Sequence, residues 1–336
     1  MRKASLKRPN QVQKSVNSVQ KQEAICTRSQ GKGEKFWMYL KNHWQLYALL
    51  AAPMVYLAIF NYYPMYGALL AFKKYRVNLG ILGSPWAENN GFENFIRFFH
   101  NYNFWNCLEN TVFISVYWLL ASFPLSIILA LSLNYVLNQK FRKTIQFFSY
   151  APYFISTIVL VGIINSIFDY NNGVFGNIIY HLTGVNVIAN ANAFSSLYVW
   201  TGIWQSTGFN AIIFIAALSG VDMQLHEAAI IDGATIMQRI RHIDLPAIMP
   251  TAVILLILNM GGILNIGYEK ILAMQNASNL RTSEVISTYA YKIALVSSIP
   301  DFPYSTAIGL FQSAVGLILI VIVNKISEKI SDVSLW

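Results

Sequence analysis

The stretch HEAAIIDGATIMQRIRHIDLP, residues 226–246, lies between two long apolar runs and interrupts their pattern. From residue 222 to residue 244 the chain carries six charged side chains: Asp222, Glu227, Asp232, Arg239, Arg241 and Asp244. Placing six charges at the centre of a bilayer would cost roughly 15–20 kcal/mol. The segment 222–246 is therefore predicted to lie outside the lipid, between two membrane helices.

Apolar residues recur at helical spacing on both sides of Gly233 in this segment. The pattern predicts two short amphipathic helices joined at Asp232-Gly233. Glycine suits such a corner because it tolerates a positive φ. Leu245-Pro246 is predicted to end the second helix, since proline disfavours a helical conformation in the preceding residue. The apolar faces must be covered either by the chain's own membrane helices or by a soluble partner.

The remainder of the chain has the composition of a membrane protein. Of 336 residues, 55% are hydrophobic and 12% are charged, which is about half the charge of a typical soluble domain. Because backbone polar groups in lipid must be satisfied internally, the predicted fold is an all-α polytopic membrane protein. Segments near the length of about 20 apolar residues that a span requires are 44–66, 111–136, 146–168, 195–220, 247–268 and 305–325.

The distribution of Lys and Arg predicts that both termini face the cytoplasm. Residues 1–43 contain ten Lys and Arg against two acids and have no helical apolar period. They are predicted to form a disordered basic cytoplasmic tail before a membrane domain over 44–336. With the N-terminus inside, seventeen of the 24 Lys and Arg lie on the inner side, as does segment 222–246. No RNA-binding aromatic motif accompanies the tail, so nucleic acid is not a predicted partner.

The segment from Glu227 to Pro246 resembles the EAA loop of type I ABC importer permeases. It has Glu-Ala-Ala, then Asp-Gly-Ala, then Leu-Pro at the family's spacing, and the Asp before the glycine is typical of the sugar class. LENTVFIS (108–115) and APYFISTIVLVGI (151–163) are similar to the permease core. Residues 267–295 resemble the LplB-type branch, which is associated with oligosaccharide and polysaccharide import. The resemblance covers roughly residues 45–336 and implies the six-helix, MetI-like permease fold.

The resemblance also implies a non-enzymatic subunit of a bacterial cell-membrane importer. Its implied partners are a second permease (commonly a different chain), two cytoplasmic ATPase subunits, an extracellular solute-binding lipoprotein and a carbohydrate substrate. This sequence contains no GxxxxGK[ST] phosphate loop, so ATP and Mg are expected on the ATPase and no cofactor on this chain. Motif position assigns ATPase coupling to Glu227, Ala228, Ala229, Asp232, Gly233, Ala234, Leu245 and Pro246.

Polar and aromatic residues in spans four and five are candidates for the substrate path. They are Trp204, Gln205, Asn210, Asn259 and Asn265, with Tyr268 and Glu269 at the outer end. Aromatic faces and amide hydrogen bonds suit sugars, although buried amides also bond between membrane helices. An ionisable group such as Glu269 near a span indicates function, but it could also pair with Lys270 or lie in interfacial water.

Two other functions compete with an ATP-driven importer. An ion-coupled secondary sugar carrier would show internal repeats and ionisable residues in mid-membrane, and neither is evident here. A membrane enzyme such as a glycosyltransferase would show carboxylate or histidine clusters at the interface. No metal site is predicted either, because HEAAI has Ile230 where an HExxH motif has its second histidine.

Overall fold

The computed structural model describes residues 41–331 together with 334 and 335. The predicted basic tail lies outside the described residues apart from its last three positions. The chain divides into two units, Met1–Tyr66 and Gly67–Trp336, which are described separately. Throughout the described residues the backbone is helical or irregular without a β-strand, and a single antiparallel bridge joins Lys73 and Trp86.

The first unit contains α1, Trp44–Leu57, which carries Pro53 inside it. The helix continues as a π turn, Ala58–Tyr62, immediately before Pro64. A proline has no N–H to donate within the helix, and the wider π turn carries the chain past this position without a break. The stretch Trp44–Phe72 is long and apolar enough to cross a membrane.

The second unit contains eleven further α-helices of six residues or more among the described residues. They are α2 Glu93–Phe99, α3 Asn103–Asn134, α4 Gln139–Tyr150, α5 Thr157–Phe168, α6 Val174–Thr183, α7 Ala191–Leu218, α8 Met223–Ile231, α9 Ile236–Gly261, α10 Tyr268–Met274, α11 Ile286–Tyr291 and α12 Phe302–Ser331. Over the described residues of both units, five helices qualify as membrane spans, and a sixth is gained if α4 and α5 form one bent span.

The predicted third span, 146–168, is two helices rather than one. Gln139–Phe154 and Thr157–Phe168 meet at an angle of 102°. Pro152 lies in the 3-10 turn that ends the first arm. Ser156 then caps α5 by accepting a hydrogen bond from the backbone N–H of Val159. The apolar run was continuous, but the proline and the capping serine divide it.

Two further boundaries differ from the prediction. Helix α3 begins at Asn103 rather than 111, because the Asn101 side chain accepts from the Asn103 backbone N–H and starts the helix there. Helix α9 ends at Gly261 rather than 268. The chain then unwinds over 262–267, with Gly262 as its first residue, as glycine favours at helix ends.

The packing of the long helices of the second unit shows the direction in which each one runs. Helices α3 and α7 run parallel, since Ile114 clusters with Val199 near their starts, and Ala130 with Phe214 near their ends. Helix α9 runs antiparallel to both, because Ile248 near its start joins the second cluster. The C-terminal end of α3 and the segment 222–246 therefore lie at the same end of the bundle.

Candidate coupling segment and translocation path

Helix α8 places the first half of the EAA-like motif on the molecular surface. Asp222 caps it by accepting from the backbone N–H of Gln224. None of its nine residues is buried, and the apolar side chains Ile231 and Met223 are 86% and 69% exposed. A helix of nine residues is poorly stable by itself in water, so this surface is a candidate docking site.

Glu227 is part of this exposed surface. Glu227 and Ala228 are exposed and Ala229 is half-buried. Among the residues described, Glu227 has no hydrogen bond or ion pair. A free carboxylate flanked by small side chains can accept a charge-assisted hydrogen bond from a closely approaching partner.

The corner between the two helices has the predicted glycine geometry. Gly233 has φ +76°, in the left-handed region that costs other residues about 1–2 kcal/mol. The preceding Asp232 is exposed and the following Ala234 is half-buried. Thr235 then starts the second helix through a capping box with Gln238. The corner is fixed by backbone geometry and capping, without a buried side chain.

Leu245 and Pro246 do not end the second helix, contrary to the prediction. The helix runs unbroken from Ile236 to Gly261, with a π turn over Ile240–Asp244. The N–H of Leu245 bonds to the carbonyl of Ile240, five residues earlier. This wider turn accommodates the missing N–H of Pro246, so the second helix of segment 222–246 and span five form one continuous helix.

Asp244 is the residue of this segment that sequence reasoning left without a role. It is completely buried and accepts a 2.6 Å hydrogen bond from the hydroxyl of Tyr135, at the end of α3. His226 Nε2 lies 3.3 Å from the other carboxylate oxygen, at ion-pair distance but without hydrogen-bond geometry. The Arg239 guanidinium lies over the Tyr135 ring at 5.4 Å. Asp244 thus connects α8, α9 and the end of α3.

Burial and then the hydrogen bond and charge of Asp244 raise the pKa of Tyr135 to about 12. Tyr135 therefore keeps its proton and remains a donor over the physiological range. The sequence held one signal for the role of Asp244. This aspartate directly precedes Leu-Pro and lies on the apolar side of a helix whose other charged residues lie on the opposite side.

Two adjoining cavities of about 370 and 100 Å³ lie between α3, α7 and α9. They share Trp118, Leu119 and Asn259 and form one trough. Asn265 lines the larger cavity and Asn210 the smaller one. Three of the amides chosen from the sequence are thus brought together beside an aromatic ring, the combination that suits a sugar.

The other four candidates lie outside this trough. Trp204 lines a separate apolar groove with Phe148 on another side of α7. The Gln205 amide donates to the carbonyl of Ile155 at 2.9 Å, which is interhelical bonding. Tyr268 stacks on Tyr291 with ring centroids 5.1 Å apart. Glu269 is exposed, and a transport role for any of the four stays a prediction.

Lys270 is buried beside the trough and was overlooked as a candidate. Its ammonium donates a 3.0 Å hydrogen bond to the carbonyl of Tyr198 and lies 4.7 Å from that residue's ring centroid. Burial lowers the pKa of Lys270 to about 7. The alternative of a pair with Glu269 is not found, since no carboxylate in the described part of the chain lies within ion-pair distance of Lys270.

The described residues contain no group of three or more His, Cys, Asp or Glu arranged to hold a metal ion. His226 and Glu227 are neighbours in sequence, but the side chain of His226 is directed at Asp244. The candidate features among the described residues are therefore the exposed helix α8, the buried Asp244 and the polar trough.

The family model of the binding-protein-dependent transport system inner membrane component matches residues 122–332. The matched region contains the coupling segment, its anchor Asp244 and most of the trough. The chain belongs to this family. It is a transport component of the membrane, and the permease itself performs no catalysis.

Similar proteins include two permeases of Bacillus subtilis (strain 168). Protein LplB is 39% identical over 96% of this chain and 100% of its own length. The polygalacturonan/rhamnogalacturonan transport system permease protein YteP is 37% identical over 87% of this chain and 90% of its own.

A solved bacterial ABC transporter involved in the import of the acidic polysaccharide alginate contains a chain similar to this permease. The TM-score is 0.78 at 33% identity, covering 88% of this chain and 99% of that one. A second structure of the alginate transporter, in complex with a periplasmic protein bound to an alginate pentasaccharide, matches with a TM-score of 0.79 at 32% identity. These matches confirm the all-α ABC importer permease fold and give no support to the ion-coupled carrier.

Proposed function

We propose that this permease forms, with a second permease chain, the membrane path for an oligosaccharide or polysaccharide. Cytoplasmic ATPase subunits carrying ATP and Mg would dock on helix α8, and an external binding protein would deliver the carbohydrate. Both termini of this chain would face the cytoplasm.

The observation that carries this proposal is the exposure of α8. A charged, nine-residue helix without a buried residue and with large exposed apolar side chains would be stabilised by a soluble partner that covers those side chains. Glu227 is placed to accept a hydrogen bond from a basic group of that partner. The corner at Gly233 would set the angle at which the partner meets the helix.

Docking at α8 can move the membrane bundle because the contact continues into span five. Asp244 ties this segment to Tyr135 at the end of α3, and helix α9 extends without a break toward the trough. ATP would favour a closed ATPase pair, and closure would bias the bundle toward the opposite access state. The coupling would be a population shift, in which segment 222–246 transmits the movement of the ATPase pair to the membrane helices.

A carbohydrate fits the trough between α3, α7 and α9. Trp118 provides an aromatic face and the three asparagines provide amide groups for hydroxyls. The matched permeases serve polygalacturonan or rhamnogalacturonan in one case and alginate in another, as their names state. These relatives support a saccharide of several units as the cargo.

The coupling role is tested by Glu227→Ala in the complete importer, reconstituted in liposomes with its partner subunits and binding protein. We expect normal assembly. ATP-driven uptake should fall about tenfold, because a charge-assisted hydrogen bond to the ATPase is lost. Uptake of radiolabelled oligosaccharides and co-purification of the ATPase would be measured together.

Glu88→Ala is the matched control, since Glu88 is an exposed carboxylate paired only at the surface with Lys74, and it should leave uptake unchanged. Full uptake by the Glu227→Ala complex would refute the coupling role. Uptake driven by a proton gradient without ATP would refute the importer assignment itself.

A further inference from the structure

Lys270 is a buried lysine, and no carboxylate among the described residues lies within ion-pair distance of it. Its side chain is among the buried charged residues, with 9% of its surface exposed. Of the three hydrogens of its ammonium group, one is donated to the carbonyl of Tyr198. The only other contact of its charge that the structure describes is with the Tyr198 ring.

Lys292 provides a comparison, because it is a partly buried lysine that is paired with a carboxylate. Lys292 makes a 2.8 Å ion pair with Glu284, and both side chains are partly buried. Lys270 is more deeply buried, yet within the described residues it meets no carboxylate at ion-pair distance. The neighbouring Glu269 is exposed instead.

Burying an unpaired charge is unfavourable unless a counter-ion is supplied. The lowered pKa of Lys270 has this physical cause, since burial penalises its charged form. A hydrocarbon or glutamine side chain could fill this position without that penalty. A lysine here is therefore explained best by an anion that is present only part of the time.

The two residues that Lys270 approaches both line the larger cavity. Tyr198 accepts its hydrogen bond, and Tyr198 and Trp118 are part of the cavity wall. A methyl group added at Gly202 would meet the Trp118 ring and would lie 3.1 Å from Lys270 Nζ. The glycine thus allows the indole and the ammonium to approach the same point. In a poorly solvated site, such a cation acts on a charge in the adjoining cavity.

We propose that the cargo of this importer is an acidic oligosaccharide, and that Lys270 is the specificity-determining residue that supplies the counter-charge to its carboxylates. This inference rests on the proposed function of carbohydrate import. Lys270 lies behind Tyr198 in the cavity wall. In this proposal its flexible stem turns the ammonium toward a carboxylate in the cavity, while the aromatic and amide groups hold the sugar rings.

The competing role for Lys270 is structural, as a tie between α10 and the carbonyl of Tyr198 on α7. A structural tie would affect every cargo equally and would leave no preference for charge. Loss of a counter-charge would lower the uptake of acidic cargo only. Arginine at this position would restore that uptake, because arginine keeps the positive charge. The two roles thus predict different ratios of uptake.

The test uses the complete importer with its binding protein, reconstituted in liposomes. The probes are oligogalacturonate and oligomannuronate pentamers, each beside its fully methyl-esterified form, with maltopentaose as a neutral saccharide. The methyl esters keep the sugar backbone and remove the negative charge. ATP-driven uptake is measured for wild type, Lys270→Met, Lys270→Arg and Lys74→Met, the last removing an exposed cation instead.

We expect the wild type to take up at least one acidic pentamer and to discriminate against its ester. Lys270→Met should lower acidic uptake about tenfold while ATP hydrolysis without cargo is unchanged, and Lys270→Arg and Lys74→Met should retain uptake. Equal acidic uptake by wild type and Lys270→Met, or uptake of maltopentaose with none of the acids, would overturn the inference.

If Lys270→Met fails to assemble, the ratio of acid to ester in the wild type still decides: no preference overturns the inference. Failure of the proposed function would look different. In that case the assembled wild type would hydrolyse ATP but import none of the five saccharides.

Discussion

At the scale of single residues, a buried polar contact lies where segment 222–246 meets the end of helix α3. Asp244 is fully buried, and Tyr135 on another helix satisfies one of its oxygens. Removing one partner of a buried hydrogen bond leaves the other unsatisfied, which costs more than removing both. The contact should therefore appear in stability measurements as well as in transport.

Asp244→Ala should lower the free energy of unfolding of the purified permease complex by about 1–3 kcal/mol, because the Tyr135 hydroxyl loses its acceptor. Thermal unfolding in detergent, with ATP-driven uptake measured in parallel, checks this. Tyr135→Phe completes a double-mutant cycle, and the double variant should lose less than the sum of the single changes. Strictly additive losses would show that the two side chains do not interact.

At the scale of secondary-structure elements, the corner at Gly233 joins an exposed helix to a continuous membrane helix. A Cβ added at Gly233 would meet nothing within 4 Å, so substitution there is opposed by the backbone conformation alone. A substitution at Gly233 therefore changes the backbone conformation of the corner without changing the packing of the hydrophobic core.

Gly233→Val should reduce ATP-driven uptake strongly while membrane insertion stays normal, because a β-branched residue resists the positive φ of this corner. Gly233→Asn is the matched control, since asparagine tolerates the left-handed region far better. Its uptake should lie close to wild type. Valine uptake equal to that of asparagine would show that the corner need not keep this conformation.

At the scale of the whole molecule, the number of crossings depends on the bent pair α4–α5. If the pair crosses the membrane, the described residues contain six spans, and residues 41 and 331 then lie on the same side of the membrane. The parallel packing of α3 and α7 favours a crossing between them, because the chain must return before it can run in the same direction again.

Single cysteines in a background without Cys26 and Cys107 test this topology in intact cells with a membrane-impermeant maleimide. Asn172→Cys and Glu88→Cys should react from outside, whereas Gln139→Cys and Gln224→Cys should react only after permeabilisation. All four positions are exposed, so reactivity depends on the side of the membrane. Labelling of Asn172→Cys only after permeabilisation would show that the bent pair is re-entrant.

Most of the architecture could be predicted because membrane spans are encoded locally. Continuous apolar runs located α3, α7, α9 and α12, and the charges of segment 222–246 predict that it lies outside the lipid. Pro152 and Ser156 are sequence signals for the bend between α4 and α5. The prediction gave more weight to the high mean hydropathy of residues 146–168 and therefore missed the bend. The helix through Pro246 was mispredicted because a π turn compensates for the missing N–H.

The decisive tertiary contacts could not be predicted in this way. Tyr135 and Asp244 are separated by 109 positions, and Tyr198 and Lys270 by 72. No local pattern tells which distant partner a buried charge will meet. For this reason three asparagines of the trough were found by residue type, while Lys270 needed the folded chain.

The right-angled turn between α4 and α5 has a consequence for the lipid around the importer. The twelve residues of Thr157–Phe168 extend only about 18 Å, well short of a hydrocarbon layer about 30 Å thick. The other arm lies almost across them and carries Lys140, Arg142 and Lys143, which seek the headgroup level. If the pair crosses the membrane, we expect the bilayer to thin locally at this turn, so that membranes with shorter acyl chains accommodate the subunit at lower cost than those with longer ones.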